Sequence, residues 1–239
     1  MRRLVLLGLK ISVLFVWLPI LTACSTIPSM TATSNSVITA SNPAVPGEVE
    51  ATEFLGTKLT PIREQNNNAL SGTQHIDKAS YVLTIDGLVD NPMTLTYEDL
   101  LGFNQQSKLM PLNCVEGWSF TAKWTGPSLA DLLTLAKVRP GALIAIFYTK
   151  DVPAGYSSLD LSYIFSRNII LGFKLNDISL PDNRGFPFQV VAESKYGYKW
   201  SKWITRIEIS DNANFRGYWE KAGYNNDADD AGPAFATAN

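Results

Sequence analysis

From Ser80 to Ser210 the chain is broken every few residues by turn chemistry, and the short apolar runs between turns suit strands and only brief helices. "SYVLTIDG" reads as a strand closed by Asp86-Gly87. "PMTLTYEDLL" passes from a strand into a short helix whose N-cap is Thr96, with Asp99 three residues on. "KLMPLNC" and "WSFTAKW" are two further strands bracketing the turn residues Glu116 and Gly117. "GPSLADLLTLAKV" is the clearest helix: Ser128 caps it, Asp131 complements its N-terminal dipole, and Leu129, Leu132, Leu133 and Ala136 form one apolar face. "ALIAIFYT" reads as a buried strand, "LDLSYIFSR" as a short helix, and "PFQVVAE" and "WITRIEIS" as strands. Strands outnumber helices, and 46% hydrophobic residues supply a core. The expectation is therefore an α+β fold with mixed β-sheets and short helices, in one domain over residues 58–220. The formal net charge of -2 and the lack of a basic stripe argue against a nucleic-acid partner.

The ends read differently. Met1-Arg2-Arg3 precedes an apolar run to Ala23 that is interrupted by Lys10, and "LTAC" ends at Cys24 in the pattern of a lipoprotein signal peptide (residues 1–23) with Cys24 as the lipidated residue. Cleavage removes Arg2, Arg3 and Lys10 and takes the net charge from -2 to -5. An uncleaved membrane anchor is the competing reading, disfavoured by Lys10 and by the small residues before Cys24. Arg2-Arg3 is a partial twin-arginine signal, while the strongly apolar run suits general secretion. Residues 24–57, rich in Ser, Thr, Ala and Pro, read as a flexible tether to a membrane, and residues 221–239 as a frayed tail. These features imply a lipid-anchored protein of the bacterial cell envelope, facing its periplasmic or extracytoplasmic side.

With Cys24 lipidated, Cys114 has no partner for an intramolecular disulfide, and a lone thiol in an oxidising compartment needs an explanation. One is a buried small hydrophobe, although its place beside Glu116-Gly117 suits a turn better than a core. Another is a nucleophile, which requires a base; the single histidine, His75, lies in the polar stretch "SGTQHIDK". So few histidines and cysteines exclude a tetrahedral zinc centre and bis-histidine haem. A third reading is a thiolate ligand to a metal that arrives already chelated by an organic group, which one soft sulfur suffices to bind.

"CVEGWS", followed by "WTGPSLADLLTLA", resembles the cysteine region of the sulfite oxidase-type molybdopterin family, and within it the branch of the periplasmic methionine sulfoxide reductase catalytic subunit. "LPDNRGFPFQVVAESKYGYKWSKWI" resembles the same family's later stretch around Lys-Tyr-Gly, and "FRGYWEKAGY" its closing segment. The resemblance covers residues 60–225. It implies a molybdenum-molybdopterin cofactor with Cys114 as the metal's thiolate ligand beside two dithiolene sulfurs. It places an asparagine contact to the pterin among Asn66, Asn67 and Asn68, and a cofactor contact at Thr149. Ser201 and Lys202 fall on the segment that receives the terminal phosphate, flanked by Lys195 and Lys199. Two positions depart from the pattern: Gln189 stands where relatives carry arginine, and Arg184 where they carry asparagine, so Arg184 offers a displaced guanidinium. Glu116 is expected near the metal, managing protons with a pKa raised by partial burial, or else holding the turn. The implied activity is oxygen-atom transfer, as sulfoxide reduction or sulfite-type oxidation of a small-molecule or methionine-sulfoxide-type substrate. Electrons would pass through a separate electron-transfer protein. A non-catalytic binding module on the same fold is the alternative.

Overall fold

The computed structural model describes residues 47–236; Cys24, the signal-like segment and residues 24–46 of the tether lie outside them. A small hairpin of β1 (Glu53–Phe54) and β2 (Thr57–Lys58) leads to β3 (Val82–Gly87), β4 (Met93–Thr96) and α1 (Tyr97–Leu101). A long hairpin follows, β5 (Gln105–Asn113) and β6 (Ser119–Pro127), then α2 (Leu129–Ala136), β7 (Ile144–Thr149), β8 (Ser157–Asp160) and α3 (Leu161–Arg167). The chain continues through β9 (Ile170–Gly172), β10 (Lys174–Leu175), β11 (Ile178–Ser179), β12 (Gln189–Val191), β13 (Ile204–Ser210) and α4 (Tyr218–Lys221). Two larger sheets result, in strand orders β4-β3-β13-β7-β8 and β11-β10-β6-β5, beside a β12-β9 pair. Among the described strands β13 and β3 alone pair in parallel, which makes the first sheet mixed.

The local rules explain these elements. Thr96 Oγ1 accepts from the Asp99 amide at 3.1 Å while Asp99 Oδ2 accepts from the Thr96 amide at 2.9 Å, a complete capping box for α1. Ser128 Oγ accepts from the Asp131 amide at 3.1 Å and starts α2, which stops where Lys137 turns left-handed at φ 56°. Alternate residues of β6, Phe120, Ala122 and Trp124, are buried. Trp124 meets Trp200 with ring centroids 5.4 Å apart, and burying each such ring contributes roughly 1.5–3 kcal/mol. This contact fixes the segment after Lys-Tyr-Gly against the sheet that carries Cys114.

Both ends of the domain differ from expectation. Part of the assigned tether belongs to the fold: Glu48 accepts from the Ser179 amide at 2.7 Å, and Glu50 accepts from the Ile62 amide at 2.7 Å. The carboxyl-terminal stretch is not frayed through residue 236. Ala228 is fully buried, the Tyr224 and Phe235 rings pack at a tilt with centroids 4.7 Å apart, and Asp230 accepts from Asn113 Nδ2 at 2.7 Å. Irregular backbone held by side chains leaves no periodicity, so a segment of this kind reads from sequence as a tail.

Candidate active site

The β5–β6 hairpin presents Cys114. The Cys114 amide donates to Trp118 O at 2.9 Å and the Gly117 amide to Cys114 O at 3.1 Å, closing a turn that needs the left-handed φ of 87° at Gly117. Asn113 bridges to Tyr196, which lays the Lys-Tyr-Gly run alongside the hairpin tip. A side chain at Gly197 would come within 3.2 Å of Leu112, so glycine permits this approach. Cys114 is half-buried, and burial first, then the Glu116 charge, raises its thiol pKa against two opposing backbone amides. Left alone the sulfur therefore keeps its proton, and a bound soft cation would displace it.

Two adjoining cavities open here, of about 90 Å³ and about 190 Å³. The smaller is lined by Cys114, Asn67, Gln189 and Trp200, the larger by Ala69, Leu70, Asp151 and Trp203. Asn68, Glu116, Tyr156, Lys202 and Trp219 line both.

The asparagines occupy three different places. Asn66 turns its carbonyl to Arg184 Nη1 at 2.6 Å; Asn67 donates to Asn183 O at 2.7 Å and accepts from Lys202 Nζ at 2.9 Å. Asn68 faces the cavities and hydrogen-bonds the Glu116 carboxylate. Arg184 lies behind them: its guanidinium also reaches the carbonyls of Ile62 and Gln65, so it braces the asparagine loop instead of lining a cavity. Gln189 is buried and donates to Trp200 O at 3.3 Å.

The lysines divide. Lys195 pairs with Asp229 at 2.5 Å, and Lys199 is buried against Glu220 Oε1 at 2.5 Å; neither lines either of these two cavities. Lys202 does line them, and among the described residues it makes no ion pair with a carboxylate. Burial, reinforced by the nearby Arg184 charge and opposed to a smaller extent by that of Asp151, pushes its pKa down to about 7. The neighbouring Ser201 hydroxyl is buried without a hydrogen-bond partner among the described residues. An unpaired cation beside an unused hydroxyl is a site short of an anion.

Glu116 departs from expectation. Hydrogen bonds from Asn68 and from Trp118 Nε1, the latter at 3.0 Å, hold its pKa below the usual carboxylate range, and the exposed side chain meets little opposing desolvation. Thr149 is buried at the end of β7, where its hydroxyl donates to Asp151 Oδ1 at 2.7 Å; it sets the Asp151 loop and does not itself line the cavities. His75 is exposed, with Nδ1 2.6 Å from Asp182, and lines neither cavity, so it is not placed as a base for Cys114.

The sequence did not single out Tyr156, Asp151 or Trp219. Tyr156 follows a loop without periodicity. Its carbonyl accepts from the Tyr218 amide at 2.8 Å, and a side chain at Gly217 would strike that carbonyl at 2.1 Å. This tight crossing seats α4 and turns Trp219 into the cavities. "FRGYWEKAGY" marked the segment, but no pattern within it shows which ring faces inward.

Over residues 70–219 the chain matches the oxidoreductase molybdopterin binding domain. The chain belongs to this family. The Bacillus subtilis oxidoreductase YuiH is 30% identical over 149 residues, covering 62% of this chain and 74% of YuiH. The protein-methionine-sulfoxide reductase catalytic subunit MsrP of Ralstonia nicotianae is 29% identical over 192 residues, covering 70% of this chain and 58% of MsrP. The sulfane dehydrogenase SoxCD from Paracoccus pantotrophus has the same fold with a TM-score of 0.61 and 25% identity, over 64% of this chain and 44% of that one. The chain thus spans less than two thirds of MsrP and of the SoxCD chain. It is an oxidoreductase with a single molybdopterin-binding domain of mixed sheets and short helices, as the cysteine and Lys-Tyr-Gly stretches led one to expect.

Proposed function

We propose that this oxidoreductase binds the molybdenum cofactor and transfers an oxygen atom at sulfur, exchanging electrons with a separate redox protein. The supporting observation is one cavity that holds both a half-buried soft sulfur, Cys114, and an unpaired cation, Lys202. These residues fit the group: Cys114 would hold the metal, Asn67 and Asn68 the pterin's polar edge, and Lys202 its phosphate. When bound, the cofactor supplies a two-electron centre that exchanges oxygen with sulfur.

The chain's own residues do the rest. Trp118 and Asn68 hold the Glu116 carboxylate ionised at the rim, ready to accept a proton from water or substrate. Tyr156, Trp203 and Trp219 wall the larger cavity and limit water there. In the reductive direction a sulfoxide takes up two electrons and two protons and leaves as thioether and water, the electrons arriving singly from the partner. Anchorage through a lipidated Cys24 would hold the domain at the outer face of a bacterial membrane, with the segment before residue 47 as tether.

Expression of the full chain in a host with a complete cofactor pathway tests this. Molybdenum and pterin should copurify at close to one per chain, and the protein should turn over a sulfoxide with an artificial one-electron donor. Folded protein free of molybdenum under those conditions contradicts the proposal and favours a non-catalytic binding module.

A further inference from the structure

We infer that the larger cavity selects sulfur substrates by charge, admitting neutral and cation-bearing organosulfur compounds and refusing oxyanions such as sulfite, with Asp151 as the specificity-determining residue. This inference rests on the oxygen-transfer reading and names its substrate class. Two carboxylates, Asp151 and Glu116, line this cavity together with the rings of Tyr156, Trp203 and Trp219. Carboxylates among aromatic faces attract cations and repel anions. Among the described residues Lys202 is the one cation on the lining. Its charge is felt by Asp151, but its ammonium donates to Asn67 and Asn68 and is the group proposed to meet the cofactor's phosphate, which leaves the two carboxylates to set the sign for a substrate. Lys150, beside Asp151 in sequence, is exposed and does not line the cavity.

Asp151 is built to face inward. The buried Thr149 hydroxyl donates to its Oδ1 at 2.7 Å and accepts from the Val152 amide at 3.2 Å, which pins the loop by one side chain. Among the described residues no hydrogen bond reaches Asp151 Oδ2, so that oxygen is available to a ligand. Gly155 carries the loop past Phe215, where a Cβ would come within 2.9 Å of the ring, and Tyr156 follows directly into the cavity wall. Charge and apolar wall thus come from one short segment.

Three sulfoxides of similar size test the inference: N-acetylmethionine sulfoxide as anion, its methylamide as neutral probe, and methionine sulfoxide methylamide as cation. On molybdenum-loaded enzyme with an artificial donor, kcat/KM for the cation should exceed that for the anion by about tenfold at low salt. Asp151→Asn should shrink this ratio by roughly threefold or more, and Asp151→Lys should invert it. A general loss of activity cancels in the ratio. Calorimetric Kd values for the same probes without reductant should follow the same order. An anion handled as well as the cation, sulfite oxidised efficiently, or a ratio unmoved in both variants overturns the inference. If loaded enzyme turns over none of the probes, the oxygen-transfer reading fails instead, and the Kd order still decides the question of charge.

Discussion

Lys199 and Lys202 lie three residues apart on one segment, in sequence look like members of one basic cluster, and have opposite surroundings. Lys199 is 1% exposed and fully engaged, with Glu220 Oε1 at 2.5 Å, Asn226 Oδ1 at 3.1 Å and Ser158 O at 3.1 Å. Burial lowers its pKa while the Glu220 charge pulls it back. Lys202 borders the cavities with neutral hydrogen-bond partners only, and burial reinforced by Arg184 lowers its pKa to about 7 against a smaller opposing pull from the Asp151 charge. A buried lysine with its carboxylate is part of the scaffold; one without it is a place where an anion belongs.

Removing the paired lysine should have the largest effect. Lys199→Met leaves Glu220 buried and unpaired, and should cost about 3–5 kcal/mol in chemical denaturation, as breaking a buried pair does. Since Glu220 lies in α4 beside Trp219, cofactor loading should fall with it. If stability is unchanged, the pair is not structural and the contrast fails.

Lys202→Met should do the reverse. Molybdenum and pterin per chain should drop about tenfold or more, the scale of losing a charged contact to a buried anion, while the cofactor-free fold keeps or gains stability. The pH dependence follows with its sign. The Lys202 pKa falls from the model-peptide range to about 7 in the folded chain, so between about 7 and 10 the unfolded chain binds the extra proton. Cofactor-free protein should therefore become more stable as pH rises through that range, and the penalty is fully present below 7. Denaturant midpoints across this range should show the slope in wild type and a smaller one in Lys202→Met. Equal slopes would place the titration elsewhere.

Lys195→Ala should have the smallest effect. Its partner Asp229 is 64% exposed, and a pair open to solvent is worth about 1 kcal/mol or less. Loading close to wild type would separate Lys195 from Lys202; a loss as deep as that of Lys202→Met would mean that the lysines act together.

How much of this was legible follows from how far each property reaches along the chain. The caps at Thr96 and Ser128 and the β5–β6 hairpin rest on neighbours within a few residues, and the sequence shows them. The cysteine and Lys-Tyr-Gly stretches identified the family because their motifs are local. The division among the lysines was not legible, because it depends on Glu220, 21 residues from Lys199 in a segment without periodicity. Glu116 likewise owes its lowered pKa first to Asn68, distant in sequence, so the expected rise through partial burial did not hold. Asp151 and Tyr156 sit on an irregular loop, where only the fold determines which side chains face the cavity.

The central claim is that Cys114 is a ligand to molybdenum. Molybdenum K-edge X-ray absorption on protein loaded in a competent host, wild type beside Cys114→Ser, tests it most directly. The account predicts one fewer sulfur in the metal's coordination shell of the variant, with the fold intact by circular dichroism. An unchanged sulfur count in a loaded variant would contradict it.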